Sequence, residues 1–384
     1  MSTNIETDSH SAPRTFPLRI ALIGAGAIAR LHLPGFLNRP DAVRLSRICE
    51  LSPEAAANVA RQLPYPVPVE RDYRELVGAD DVDAALVALP HYLHYPVAAE
   101  LVSAGIPVLV EKPLTCTLEE ARRLHLISQK SGAAVVSGQM LRFSRAANFL
   151  RNWIAENPHN FGSLRTFDLQ SWQNILAYTH NSSTPAHWLL DGEKAGGGVV
   201  ISLAIHQLDL VRFLSGQDFV EVIASGRFDE PFHHGAESCA VALLKMSGGA
   251  SGVLHANYLA PRVPYCEALT LFGQYGTIIQ HADSIGQYRG DFRYASIANQ
   301  ATEHWTDQFD GFERVLASND STLSDDAFTN QLVGFADSVI LGRPSLNSIY
   351  RNFNTLACIA ALYTSIRTGR PASVEKLNQS QRCE

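Results

Sequence analysis

The segment Arg19-Ile-Ala-Leu-Ile-Gly24-Ala-Gly26-Ala-Ile-Ala29 constrains the fold of this chain more than any other. An apolar run of strand length passes directly into G-x-G-x-x-A and then into helix-forming residues. That is the layout of the first βα unit of a dinucleotide-binding sheet. Gly24 permits the tight turn, Gly26 lets backbone approach a pyrophosphate, and Ala29 allows close helix–strand packing. The helix that begins at Ala27 and Ile28 offers unpaired N–H groups and a positive dipole end to phosphates. Glu50 ends the second apolar run. A carboxylate there accepts hydrogen bonds from the adenosine ribose hydroxyls and repels a 2′-phosphate, so NAD is the expected cofactor. Arg30 and Arg47 keep NADP open, since a nearby arginine can accommodate that phosphate.

The rest of the first third keeps the same rhythm. Apolar runs at Arg19–Ile23, Leu45–Cys49, Ala84–Leu89, Val108–Val110 and Ala133–Val136 alternate with helix-like stretches. Ser52-Pro53-Glu54 supplies an N-cap followed by proline at the first helical position, and Thr117-Leu-Glu-Glu120 is a capping box. Strand alternating with helix predicts βαβ units and a parallel, doubly wound sheet. The run Ile106–Val110 ends in Glu111-Lys112-Pro113. A lysine at the carboxyl end of a parallel strand sits where such sheets bind ligands, and the proline cannot continue the ladder.

Beyond Leu141 the texture changes. A helix-like stretch, Ala146 to Glu156, leads to a strand-like Leu164–Trp172. The run Gly196-Gly197-Gly198 precedes an apolar segment of helical spacing, Val199 to Leu214. Strand candidates then follow in succession: Phe219–Arg227, Ser238–Met246, Ser251–Tyr258, Glu267–Phe272 and Thr277–Gln280. Helices close the chain at Ala327–Leu341 and Ile349–Arg367. Consecutive strands with few helices between them predict an α+β domain with a large, mostly antiparallel open sheet. The expected organisation is a flexible tail at 1–16, an α/β Rossmann domain at 17–140, an α+β substrate and oligomerisation domain at 141–345, and a C-terminal helix and tail at 346–384 that pack back on the body.

At 384 residues, two domains are the default expectation, and a net charge of −7 without a Lys/Arg-rich block argues against nucleic acid or anionic membrane as partners. Six cysteines scattered singly suit a reducing compartment. The polar first sixteen residues lack a signal-peptide core, and no uninterrupted apolar stretch reaches bilayer length, so a soluble cytoplasmic protein is expected. The adjacent pair His233-His234 has poor ligand spacing and no Cys or carboxylate beside it in sequence, so no metal is expected.

Leu89-Pro90 with His94 four residues on, Glu111-Lys112-Pro113, and Gly196-Gly197-Gly198 leading to His206-Gln-Leu-Asp209 follow the fingerprint in this order. Together they resemble the glucose–fructose oxidoreductase/inositol dehydrogenase family (Gfo/Idh/MocA), over nearly the whole chain after the tail. The resemblance implies an N-terminal Rossmann domain and a C-terminal sheet that often mediates homodimers or homotetramers. It also implies hydride transfer between NAD(P) and a carbinol or ketone carbon of a sugar, aminosugar or cyclitol. In the family pattern the E-K-P lysine and the H-x-x-D histidine face the substrate beside the nicotinamide, which transfers to Lys112 and His206. The cofactor-binding set then reads Gly24, Gly26, Ala27, Ile28, Ala29, Glu50, Leu89, Pro90, His94, Glu111 and Lys112. His94 can equally cap a helix with Pro96 in its first turn.

One departure matters. Where the family commonly has D-x-G-x-H, this chain has Ser202-Leu-Ala204-Ile-His206. On a helix i and i+4 share a face, so Ser202 is expected beside the imidazole, without the carboxylate's charge. His206 should then be less basic than in relatives, which shifts proton transfer toward Lys112. Arg142, Trp172, Trp188, Ser202 and Asp209 are candidate substrate contacts. Each also has a structural reading: a salt bridge for Asp209, a structural role for Arg142, and packing for the tryptophans, which cluster with Tyr178 and His187. The family's Trp-Arg is Trp188-Leu189 here, so that arginine's anionic contact is absent. Two rival readings are an NAD-dependent glycosidase of the same fold, oxidising transiently before elimination, and a non-catalytic cofactor-binding regulator.

Overall fold

Six short apolar runs build the first sheet: β1 (Leu18–Ile23), β2 (Val43–Cys49), β3 (Val69–Glu70), β4 (Ala84–Val87), β5 (Val108–Val110) and β6 (Val135–Ser137). The computed structural model describes residues 14–177, 187–261, 265–282, 292–296, 313–315 and 326–377. Nearly all of the expected tail, and Tyr178, lie outside the described residues. The strands run in the order β3-β2-β1-β4-β5-β6 and every registered pair is parallel. Strand order reverses between β1 and β4, so the Gly24 turn opens at the switch point where such sheets take ligands. The two-residue edge strand β3, directly after Pro68, has no counterpart in the sequence reading.

The helix starts follow the expected chemistry. Ser52 accepts from the Ala55 N–H, and Thr117 and Glu120 form both halves of the capping box. Helix Ala27–Asn38 differs: Gly26 at its N-cap supplies no side-chain cap, and its first turn holds no acidic residue. Its leading N–H groups are left for a ligand.

The second sheet comprises β7 (Leu164–Gln173), β8 (Phe219–Arg227), β9 (Cys239–Met246), β10 (Ser251–Asn257), β11 (Tyr265–Gly273), β12 (Gly276–Ala282), β13 (Phe292–Ser296), β14 (Glu313–Val315) and β15 (Ala372–Ser373). Its order is β14-β13-β12-β11-β7-β10-β9-β8-β15, antiparallel throughout except for the β7–β10 pair. One face carries Phe167, Leu169, Ala242, Leu244 and Leu254 into the core. The other leaves Ile223, Val241, Leu243 and Val253 exposed. Leu243 pairs across the strands with both Ile223 and Val253, so these apolar side chains form a continuous row.

The segment Gly192–Ser215 is long and apolar enough to cross a membrane by composition, yet 94% of that window is buried inside the protein. It is a core element. The Ala327–Ile340 helix, placed by the sequence reading in the second domain, packs on the first. Its Leu332, Phe335 and Ala336 share a core with β1, β2 and the Ala27–Asn38 helix. Helix Ile349–Thr368 packs against β8 and against the Leu118–Ser131 helix, tying the end of the chain to both units.

Candidate active site

A cavity of about 390 Å³ lies between the two units. Ala27, Ile28 and Leu31 of the first helix line one end, with Leu89, Glu111, Lys112 and Phe328. His91, Met140, Gln173, Ile175, Trp188, Leu189, Ser202, Leu203, His206, Tyr258 and Tyr265 complete the wall.

The first end fits a dinucleotide. Gly24 holds a φ of +92°, and a Cβ there would lie 2.5 Å from the Ala88 carbonyl oxygen, so the turn requires glycine. At Gly26 the space a Cβ would enter is open to beyond 4 Å, as a close pyrophosphate needs. Ala29 is buried where the helix meets the sheet. Glu50 accepts from the Ala25 N–H (2.7 Å) and the Ser52 N–H (2.8 Å), which fixes its carboxylate beside the turn. Arg47 is committed elsewhere, to Glu70 at 2.7 Å and Asp81 at 2.8 Å.

At the mouth of β5, Lys112 is half-buried, its remaining surface facing the cavity. Its Nζ donates to the Ser202 carbonyl at 2.6 Å, across the domain boundary. Burial lowers the ammonium's pKa, and the charges of Glu111 and Glu267 recover part of the shift. Glu111 is itself fixed: Oε1 lies 2.7 Å from His32 Nε2, and Oε2 accepts from the Lys112 N–H at 3.1 Å. Gly138 packs so tightly on Glu111 that a Cβ would come within 2.7 Å of its Cα.

His206 is enclosed, and burial followed by the Lys112 charge pushes its pKa well below the ordinary histidine value. The ring is therefore neutral near pH 7. Ser202 does not orient it. Neither Ser202 Oγ nor His206 Nδ1 has a hydrogen-bond partner among the described residues, although both side chains are at least 96% buried. The expected i, i+4 contact fails because Val200–Ala204 is π-helical, which changes the angular spacing on that turn. Ser202 meets Lys112 through its backbone instead. Upstream, Glu237 holds the glycine run: its carboxylate accepts from Gly198 N (2.7 Å) and Val200 N (2.8 Å). Burial raises the Glu237 pKa to about 7 against the pull of those N–H groups.

Several expected contacts are redirected. His94 does not line the cavity; its ring is fully buried, with Nδ1 2.7 Å from the Pro113 carbonyl oxygen and Nε2 2.7 Å from the Leu89 carbonyl oxygen, and whichever nitrogen carries the proton donates. It joins the β4 and β5 turns. Pro90 leads into the short turn that carries His91, the cavity histidine that the motif reading passed over. Arg142 and Asp209 form a buried bidentate pair (2.6 and 2.7 Å), and Thr355 also donates to Asp209 at 2.9 Å. That pair joins the Ile205–Ser215 and Ile349–Thr368 helices and leaves no group for substrate. Trp172 lies on the opposite sheet face, against His255, because Phe167, Leu169, Ser171 and Gln173 take the inward positions of β7. Trp188 does line the cavity, edge-on to His91 with centroids 4.5 Å apart.

Gln173, Tyr258 and Tyr265 on the cavity wall, and the buried Glu267 behind them, carry no sequence motif. Burial and then Glu267 push the Tyr265 hydroxyl pKa well above its ordinary value. The premise for excluding a metal is corrected as well, because Asp191 brings a carboxylate to His233 and His234.

A dinucleotide-shaped turn, a strand-end lysine and a neutral buried histidine across a domain boundary define a two-domain, cofactor-dependent oxidoreductase. The family model described as "Oxidoreductase family, NAD-binding Rossmann fold" matches residues 18–139, and the GFO/IDH/MocA C-terminal domain matches residues 150–279. The chain belongs to this Gfo/Idh/MocA family and is an NAD(P)-dependent enzyme. It is 29% identical to a 1,5-anhydro-D-fructose reductase of Ensifer adhaerens over 62% of this chain and 68% of that protein. With a scyllo-inositol 2-dehydrogenase (NAD(+)) of Bacillus subtilis the identity is 24%, over 93% of this chain and 96% of the other. The fold matches a levoglucosan dehydrogenase in complex with NADH and levoglucosan at a TM-score of 0.81, with 20% identity, covering 94% of this chain and all of that one.

Proposed function

We propose that this protein transfers a hydride between NAD(H) and the carbinol or ketone carbon of a small cyclic polyol: a sugar, an aminosugar or a cyclitol. The observation that carries this reading is a pair of buried polar atoms without protein partners, Ser202 Oγ and His206 Nδ1, beside the depressed Lys112 amine. Buried polar groups left unpaired cost roughly 1–3 kcal/mol each, so a hydroxylated ligand is their natural complement. The named relatives, which act on an anhydrofructose and an inositol, support the same class.

When bound, NAD(H) supplies the hydride acceptor or donor. Glu50 would hold the ribose end and the Gly24–Ala29 turn would hold the pyrophosphate. In oxidation Lys112, deprotonated, takes the hydroxyl proton; the Ser202 carbonyl and the charges of Glu111 and Glu267 then stabilise the ammonium. In reduction the same ammonium returns the proton to the developing alkoxide. His206, neutral, and Ser202 orient the hydroxyl by hydrogen bonding. Met140, Ile175, Leu203 and Trp188 exclude water around it.

The row Ile223–Leu243–Val253 supports assembly of copies through the second sheet, as a homodimer or homotetramer. The five described cysteines are free thiols, in keeping with the cytoplasm. A panel of cyclitols, aldoses, anhydrosugars and aryl glycosides with NAD and NADP, followed at the NADH absorbance and for released aglycone, tests the reading. Turnover of at least one cyclic polyol with NAD is expected. No turnover by any member would remove the reading, and aglycone release without net NADH would replace it with the glycosidase.

A further inference from the structure

Asp191, His233 and His234 lie behind the cavity wall, and no step of the proposed reaction uses them. They are far apart in sequence, but the backbone holds them together. Gly192 N donates to the His233 carbonyl at 3.0 Å, and His233 N donates to the Leu190 carbonyl at 3.0 Å. The approach is close: a Cβ on Gly192 would stand 2.3 Å from the His234 carbonyl oxygen. His234 also adopts a φ of 51°, the left-handed region that a non-glycine residue seldom enters.

The side chains converge on one point. His233 Nε2 is 3.6 Å from one Asp191 carboxylate oxygen, and His234 Nδ1 is 3.0 Å from the other. The three ligand atoms all lie within 4.8 Å of one another. Tetrahedral zinc with bonds of about 2.0–2.2 Å places neighbouring ligand atoms roughly 3.4 Å apart; the 3.6 and 3.0 Å separations run to different carboxylate oxygens, and with all three ligand atoms inside 4.8 Å, small side-chain rotations suffice to bring them to that spacing. The Pro231 carbonyl oxygen lies 3.2 Å from His233 Nδ1 and can only accept, so this contact suits the tautomer with the proton on Nδ1, which would leave Nε2 to a metal.

The cluster also reads as a plain ion pair, with Lys194 Nζ at 3.6 Å from Asp191 adding positive charge. Lys194 and both histidines are largely exposed, however, so the lysine can swing away and a fourth ligand, water, can enter.

We propose that Asp191, His233 and His234 form a binding site for a borderline transition-metal dication of the zinc class. Two imidazoles and a single carboxylate favour zinc, nickel or copper over magnesium or calcium, which prefer oxygen ligands. The metal would brace the Asp191 turn, which presents Trp188 and Leu189 to the cavity and leads to the Ala195 carbonyl that holds His91 Nδ1 at 2.9 Å.

The test is isothermal titration of the full-length, chelator-treated protein with zinc chloride, with magnesium chloride as control. The expected result is zinc uptake near one equivalent per chain, weakened at least tenfold in His233→Gln and His234→Gln. Asp191 caps its turn and Asp191→Asn can fail to fold, so the two exposed histidine variants decide. No zinc uptake by the parent protein, or zinc affinity within twofold of the parent in both variants, would overturn the assignment. The readout is calorimetric, so the result stands apart from whether the protein turns over any polyol.

Discussion

Replacing Lys112 with methionine separates proton transfer from every other role this residue could have. Methionine keeps an apolar stem in the cavity that Met140 and Leu203 also line but removes the amine that bonds the Ser202 carbonyl at 2.6 Å. The orphaned carbonyl costs about 1–3 kcal/mol, and relief of the buried amine's desolvation offsets part of that. The fold should therefore survive. Loss of a general acid–base group lowers turnover roughly 10²–10⁴-fold, equivalent to about 3–5 kcal/mol of transition-state stabilisation. A second signature is specific to this site. The Lys112 charge is one of the two causes depressing His206, so removing it should bring the His206 pKa back up, toward the ordinary value. The assay is kcat/KM from NADH absorbance, NAD affinity by fluorescence, and His206 titration by NMR. Turnover within threefold of the parent would refute the reasoning. So would NAD affinity falling in step with turnover, which would make Lys112 a cofactor ligand only.

Glu50→Gln should raise kcat/KM with NADP relative to NAD by about tenfold or more, because the carboxylate beside Ala25 N no longer repels the 2′-phosphate; paired kinetics with both cofactors check this. Arg142→Ala should lower stability by roughly 3–5 kcal/mol in urea unfolding, since it strands the buried Asp209 charge, while KM stays near parental in the folded fraction. Stability should fall as pH drops below about 6.5. His91, His94 and His206 all have folded-state pKa values lowered by burial, so the unfolded chain binds the protons first. Each contributes a slope of up to about 1.4 kcal/mol per pH unit between its unfolded and folded pKa, measurable as Tm against pH. Glu237 acts with the opposite sign. Its folded pKa of about 7 exceeds the unfolded value, so stability is lost as pH rises through that range, and Glu237→Gln should flatten that limb.

The sequence is most informative where the governing interactions are local. The Gly24 turn, the Ser52 and Thr117 caps and the Val108–Val110 strand depend on neighbours in the chain and appear at or near their expected places. Side-chain direction was harder to read. Trp172 faces the wrong side because strand parity depends on which β7 residues meet the core. Ser202 misses His206 because a π-helical turn intervenes where an ideal α-helix was assumed. Arg142 and Asp209, attractive as substrate contacts, find each other across 67 residues and the packing of a C-terminal helix. Asp191 reaches His233 and His234 in the same non-local way. Tyr258, Tyr265 and Glu267 enter through strand register in the second sheet, for which the sequence carries no local signal. The Ala327–Ile340 helix joins the first core because its apolar stripe meets Gly35, where the small residue admits Leu332.

Hydride transfer to NAD at the Lys112–His206 cavity is most directly tested with a cyclic polyol deuterated at its carbinol carbon. Mass spectrometry of the reduced cofactor is the measurement. Deuterium at C4 of the nicotinamide in stoichiometric yield, with the initial rate of labelling lowered roughly 10²–10⁴-fold in Lys112→Met, is the result expected here. A reduced cofactor without deuterium, or labelling undiminished in the variant, would contradict the account.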